Sequence, residues 1–167
     1  MKVTDGFAED DRREAVGLEV RPLAAADLAA VSSLERSIFP TPWRADHFAR
    51  IVDLQGGMGW VATVTPGEVV GYAIGWVAAD EAELANIAVV AEWRGRGIGA
   101  QLLTVLRDAA CSAGARRLYL EVRASNEAAQ AFYARRGFEI VGRRPRYYSR
   151  PREDALVMSV DLHHPSK

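Results

Sequence analysis

The sequence predicts one α/β domain around a mixed sheet, and three observations carry that expectation. Helical and strand-like periodicities alternate along the chain in the order β-α-α-β-β-β-α-β-α-β-β, which suits layered helices on a sheet. No internal repeat or linker interrupts them. The length, 167 residues, is that of a single domain able to bury a real core.

Each element follows from local pattern. Val16 to Arg21 alternates enough for a first strand. Leu28, Val31, Leu34 and Ile38 then recur at helical spacing. Thr41 and Pro42 suit an N-cap and first-turn proline of a second helix, running to about Val52 and closed by Gly56-Gly57. The apolar runs Met58 to Val64 and Val69 to Val77, separated by Thr65-Pro66-Gly67-Glu68, read as a hairpin. Glu83 to Val90 is a further strand. A glycine loop leads into a helix from about Ile98 to Ala113, with Leu102, Leu103, Leu106 and Ala110 on its apolar face. Arg117 to Val122 is a strand, and Ser125 or Asn126 caps a fourth helix that Gly137 ends. Phe138 to Gly142 and Ala155 to Leu162 are the last two strands, joined by an Arg- and Pro-rich loop.

Composition narrows the function. Apolar residues make up 49% and charged residues 26%, with a formal net charge of −1, so nothing global recommends nucleic acid as a partner. Cys111 is the single cysteine, which rules out an intrachain disulfide and argues against a thiolate zinc site. His47, His163 and His164 have no metal-binding spacing, so no metal is expected. No apolar run reaches the ~20 residues that cross a bilayer, and acidic residues stand where a signal peptide would be apolar. A cytoplasmic protein without membrane association, monomeric, is the expected state. Residues 1–17 are polar and unpatterned and are expected to be mobile, with the domain spanning 18–162 and a short tail at 163–167.

The decisive stretch is Arg94-Gly-Arg-Gly-Ile-Gly-Ala100. It holds a G-x-G-x-x-A pattern, which seats the pyrophosphate of a dinucleotide, and an R-x-x-G-x-G pattern, which seats that of coenzyme A. Both rest on the same physics: glycines let backbone N–H groups converge on an anion at a helix N-terminus. The dinucleotide reading needs its glycines directly after the first strand, but here Ala91 to Arg94 intervene and the loop lies past mid-chain. A P-loop is excluded because no Gly-Lys-Ser/Thr occurs.

With its flanks the chain resembles the GNAT acetyltransferases. The segments that carry the resemblance are Asn86 to Val89, Trp93 to Gly99, Leu120-Glu-Val-Arg-Ala-Ser-Asn126 and Ala131 to Phe138, within a span of roughly 18–162. Arg146-Tyr147-Tyr148 and Glu153-Asp154-Ala155 resemble a narrower group, whose members acetylate the N-terminal alanine of a small-subunit ribosomal protein. The resemblance implies a mostly antiparallel sheet of about seven strands flanked by about four helices. It implies acetyl-CoA as donor, held by Ile87, Ala88, Val89, Arg94, Gly95, Arg96, Gly97, Ile98 and Gly99, with Asn126 and Tyr133 along its arm. A backbone N–H of 87–89 would polarise the thioester carbonyl where this strand splays from its neighbour. The acceptor would be a protein N-terminus, probed by Tyr147 and Tyr148 on one side and by Phe39, Pro40 and Trp43 on the other.

Acetyl transfer to an amine needs a neutral nucleophile, a polarised carbonyl and a proton for the leaving thiolate. Glu121 lies in the apolar strand Leu118-Tyr-Leu-Glu-Val122, where burial disfavours the charged form and suits a general base. Strand alternation could equally turn it to solvent or pair it with Arg123, and Glu83 is the second candidate, acting through water. Tyr133, two helical turns from Asn126, is the implied acid; its plain reading is a core aromatic beside Phe132. Arg143, Arg144, Arg146, Arg150 and Arg152 interleave with tyrosines, which would also suit single-stranded RNA or a solvated hairpin. Three functions therefore stand: an N-terminal acetyltransferase that works by direct attack, a GNAT for a small amine or lysine side chain, and a ribosome- or RNA-associated module using 143–152. The first 17 residues and the extra-looking Ser149-Arg-Pro-Arg152 have no place in the family pattern.

Overall fold

The computed structural model describes residues 3–4, 17–64 and 67–163. Its strands are β1 (Val3–Thr4), β2 (Glu19–Pro22), β3 (Gly57–Val64), β4 (Glu68–Ala78), β5 (Glu81–Val89), β6 (Arg117–Arg123), β7 (Glu139–Ser149) and β8 (Arg152–Asp161). The helices are α1 (Leu28–Ile38), α2 (Ala45–Asp53), α3 (Ile98–Ser112) and α4 (Glu127–Ala134). The sheet runs β2-β3-β4-β5-β6-β8-β7, with β1 beside β5. Only β1–β5 and β5–β6 are parallel, so the sheet is mixed and mostly antiparallel, as expected.

Each face of the sheet buries its own apolar layer. Leu102, Leu103 and Leu106 of α3 and Phe132 and Tyr133 of α4 pack with Leu118, Leu120 and Val122 of β6. Val31 and Leu34 of α1 and Phe48 and Ile51 of α2 pack with Tyr72 and Ile74 of β4 on the other side. The α3 stripe read from the sequence is buried as predicted.

A bulge in β5 positions the site. Ile74 pairs with Asn86 but Gly75 pairs with Leu84, which leaves Ala85 as the extra residue. Simple alternation from Ala82 and Leu84 would send Asn86 and Ala88 into the α3 layer. The bulge instead places Ile87 and Val89 there, with Ala85 and Ala88 in the α1–α2 layer. Gly75 is required opposite the bulge, because a Cβ there would collide with the Glu83 carbonyl oxygen.

Three expectations need correction or placement. The second helix begins at Ala45, with Arg44 as N-cap, rather than at Thr41. Residues 42–44 stay outside the helix because the Trp43 N–H is drawn to Glu35 Oε1 at 2.8 Å, and Thr41 precedes a proline that disfavours helical backbone. The Arg- and Pro-rich loop is largely strand: Arg143 pairs with Leu156, Arg144 with Ala155 and Tyr148 with Glu153, around a tight turn at Arg150–Pro151. Exposed arginines suit an edge strand, which charge protects from further pairing. Of residues 1–17, Val3 and Thr4 pair with Ile87 and Ala88; residues 1–2 and 5–16, with the start of the first predicted strand, lie outside the described residues.

Candidate active site

The glycine loop leaves β5 through a short turn at Ala91–Trp93 and enters α3 at Gly97. Gly95 and Gly97 have φ of 73° and 75°, which side chains rarely adopt. A Cβ on Gly97 would meet nothing within 4 Å, so the absent side chain leaves the approach to the helix N-terminus open. The first N–H groups of α3 have no intrahelical acceptor and stand at the positive end of its dipole. Arg94 Nε donates to the Val89 carbonyl at 2.9 Å, which ties the loop to the end of β5. Arg96 stacks over Trp93, 4.4 Å from the ring centroid. This donor set fits a diphosphate. A dinucleotide fold does not fit, since the loop follows β5 in a mostly antiparallel sheet.

Past the bulge the sheet opens. The β5–β6 ladder has Glu81 opposite Arg117, Ala82 opposite Leu118 and Glu83 opposite Tyr119. It goes no further among the described residues, although β5 continues to Val89 and β6 to Arg123. This is the splay expected at 87–89. The Val90 N–H donates to the Val70 carbonyl, so by alternation Ala88 N–H also faces β4, and Ile87 and Val89 N–H point the other way, toward the edge where β1 pairs with Ile87 and Ala88. Ile87 N–H is held at 3.1 Å by Oδ1 of Asn86. The strand β1 lies along this same edge.

Two carboxylates stand at the foot of the splay. Glu83 is opposite Tyr119, and Glu121 is two residues further on β6, so both lie on one face. They line a cavity of about 420 Å³ with Trp76, Leu120, Arg144 and Val157. Burial, and then the neighbouring Glu121 charge, push the Glu83 carboxyl up from its ordinary value. Glu121 is buried and engaged twice: Arg144 Nε lies 2.8 Å from Oε1, and the Tyr147 hydroxyl donates to Oε2 at 3.0 Å. Burial and the Glu121 charge push Tyr147 up to about 12. A cleft that holds a buried Glu121 and a half-buried Glu83, close to β5 and its diphosphate loop, can deprotonate an amine next to a thioester.

Residues 28–138 match the acetyltransferase (GNAT) family. The chain belongs to this family. It is 34% identical over 143 residues to a putative ribosomal protein bS18-alanine N-acetyltransferase of Bacillus subtilis, covering 86% of this chain and 95% of that one. The ribosomal protein bS18-alanine N-acetyltransferase of Escherichia coli is 36% identical over 146 residues, covering 86% and 97%. A crystal structure of the ribosomal-protein-S18-alanine N-acetyltransferase from Escherichia coli superposes with a TM-score of 0.81 at 34% identity, covering 90% of this chain and 97% of that one. As a GNAT acetyltransferase the protein takes its acetyl group from acetyl-CoA.

The remaining predicted residues of this acetyltransferase are distributed as follows. Asn126 is the N-cap of α4, its Oδ1 accepting from Ala129 N–H at 3.1 Å. Tyr133 is fully buried, edge-on to Phe132 and Phe138 at 5.2 and 5.3 Å between centroids. Tyr147 reaches the carboxylate cavity, whereas Tyr148 is buried beneath Arg123, whose guanidinium lies 4.1 Å from its ring centroid. Phe39 is buried and Trp43 partly buried in the α1–α2 layer; neither lines the cavity, while Pro40 is exposed. Arg123 pairs with Glu153 at 2.9 Å rather than with Glu121. Arg143 pairs with Asp154 at 2.6 Å, so with Arg144 on Glu121 the basic segment is partly neutralised, which weakens the RNA reading. Among the described residues no helix is long and apolar enough to cross a membrane, and no group of His, Cys, Asp or Glu is gathered for a metal.

Sequence reasoning missed Arg144 as the cation on Glu121, and Trp76 and Val157 as cavity walls. Nothing local marks these, because the sheet order alone brings them together. It also missed Glu35, which is fully buried on α1. That residue was findable: it stands four residues after Val31 and three before Ile38, on a helical stripe otherwise apolar.

Proposed function

We propose that this acetyltransferase modifies the N-terminal α-amino group of a protein acceptor, namely a small-subunit ribosomal protein that begins with alanine, in the cytoplasm. The observation that carries this reading is the carboxylate pair Glu83–Glu121 at the foot of the splay, beside a wall that ends in Tyr147. The similarity to alanine N-acetyltransferases over most of both chains supports it.

Residues 94–99 hold the diphosphate of acetyl-CoA, which supplies an activated acyl group; residues 87–89, Asn126 and Tyr133 lie along its arm. Glu121 takes a proton from the acceptor ammonium, whose pKa of ~8 leaves about a tenth already neutral at pH 7. Glu83, whose carboxyl burial and the Glu121 charge hold up, shares that proton through water. The amine attacks the carbonyl directly while a backbone N–H of 87–89 stabilises the growing charge on oxygen, and the attacking nitrogen releases its second proton to water as the carbon–nitrogen bond forms. The carbon–sulfur bond breaks, and the Tyr133 hydroxyl protonates the sulfur as it departs. A phenol is a weaker acid than a thiol, so this transfer is concerted with bond cleavage. Tyr147 orders the first acceptor residues from the β7–β8 hairpin, with Tyr148 packed edge-on against it.

The test is intact-mass analysis of an Ala-starting ribosomal-protein peptide incubated with acetyl-CoA, beside the same peptide blocked at its N-terminus. Addition of one acetyl group to the free peptide alone is the expected result. Equal modification of the blocked peptide would move the acceptor to a lysine side chain.

A further inference from the structure

The most deeply buried polar cluster of the protein lies outside the carboxylate cavity, between α1 and the bulged strand. Glu35 and Asn86 are both fully buried. Glu35 Oε1 accepts from Trp43 N–H at 2.8 Å. Its Oε2 accepts from the Tyr72 hydroxyl and from Asn86 Nδ2, the latter at 3.0 Å. Asn86 Oδ1 in turn accepts from Ile87 N–H at 3.1 Å, one of the two amides of β5 that point away from β4. A buried carboxylate is an acceptor only, so it dictates the orientation of any amide beside it.

We infer that Glu35 is a positioning residue for acetyl transfer: it fixes the Asn86 amide so that Oδ1 occupies Ile87 N–H, and it anchors the Trp43 segment to the same strand. The Trp43 segment and β5 are thereby set by one carboxylate. The inference rests on the acetyl-transfer reading above for its consequence, but its geometry can be tested without turnover.

Glu35→Gln breaks the pattern in a defined way. Whichever way the new amide turns, its NH₂ faces either Trp43 N–H or Asn86 Nδ2, a donor against a donor. If Asn86 flips to relieve the clash, its Nδ2 meets Ile87 N–H. The pair Glu35→Gln with Asn86→Asp restores every bond: the glutamine NH₂ donates to the aspartate, the aspartate accepts from Ile87 N–H and Tyr72, and Trp43 N–H keeps its carbonyl acceptor. Tyr72→Phe removes the hydroxyl that donates to Glu35 and accepts from Asn86 Nδ2 at 3.0 Å, but leaves the Glu35–Trp43, Glu35–Asn86 and Asn86–Ile87 bonds, so it serves as the structural control.

The experiment measures amide exchange at Ile87 by NMR, acetyl-CoA affinity by calorimetry, kcat on the Ala-starting peptide, and Tm for the whole protein and these variants. Expected are about tenfold faster exchange at Ile87 and an about tenfold lower kcat in E35Q. Acetyl-CoA affinity should stay within about threefold, and both losses should recover in E35Q/N86D. Y72F should lower Tm yet keep kcat. The inference is overturned if E35Q loses no more kcat than Y72F, if Ile87 exchange is unchanged, or if the double variant fails to recover. A wild-type protein that leaves the peptide unmodified would count against the acceptor reading instead, and the exchange result would still decide the role of Glu35.

Discussion

On the donor side, one continuous run of chain from Asn86 to Gly99 supplies the strand edge, the turn and the helix N-terminus. In the proposed mechanism the working groups there are backbone N–H groups, and side chains matter chiefly by their absence, as at Gly97. On the acceptor side, Trp76, Glu83, Glu121, Arg144 and Val157 come from β4, β5, β6, β7 and β8. There the side chains do the chemistry and the sheet order assembles them. The difference explains how one fold keeps a fixed donor while its acceptor varies. Changing a backbone cradle means changing conformation, whereas changing the acceptor wall needs only substitution on an exposed hairpin.

Substitutions that confuse the two halves would break this comparison. Tyr133→Phe should lower kcat by about 10²-fold with acetyl-CoA affinity little changed, as followed by steady-state assay and calorimetry. The ring packing with Phe132 and Phe138 is kept by a phenylalanine. Gly97→Val should weaken acetyl-CoA binding about tenfold or more, ~1.4 kcal/mol, because the new side chain occupies the open approach. The same change forces a β-branched residue to φ 75° and should cost about 1–2 kcal/mol of stability in denaturant unfolding. Acceptor KM should not move.

Smaller effects sharpen the contrast from the acceptor side. Tyr147→Phe removes the hydrogen bond to Glu121 and should change acceptor KM by about two- to tenfold, matching the ~0.5–1.5 kcal/mol of such a bond, without touching acetyl-CoA affinity. Arg144→Gln removes a positive charge that holds Glu83 down. The Glu83 carboxyl should then rise further, so the acid limb of kcat/KM against pH should move to higher pH. Arg144 is 59% exposed, so water screens it and the movement should be small.

The same contrast decides what could be read from the sequence. The glycine loop is local, so Arg94-x-x-Gly97-x-Gly99 with its strand and helix periodicities was enough to place it between β5 and α3. The α3 stripe and the Asn126 cap were legible for the same reason. The extension of β7 and β8 through 143–154 was not, because five arginines and two prolines in 143–152 look like loop until Asp154, Glu153 and Glu121 are seen to pair with Arg143, Arg123 and Arg144. The start of α2 was misplaced because a tertiary bond, Trp43 to Glu35, overrode the local Thr-Pro signal. Phe39 and Trp43 look like an exposed aromatic wall in sequence, yet burial against Phe48 and Tyr72 takes up much of their surface. The bulge at Ala85 has no marker but Gly75 across the ladder.

The most direct test of the central claim compares Glu121→Gln with Glu83→Gln in one experiment that reads kcat on the Ala-starting peptide and acetyl-CoA affinity together. If Glu121 takes the proton directly and Glu83 only shares it, Glu121→Gln should lose about 10²–10³-fold in kcat and Glu83→Gln about tenfold, with acetyl-CoA bound as in the wild type. A larger loss in Glu83→Gln, or no loss in Glu121→Gln, would contradict the account and give the base to β5.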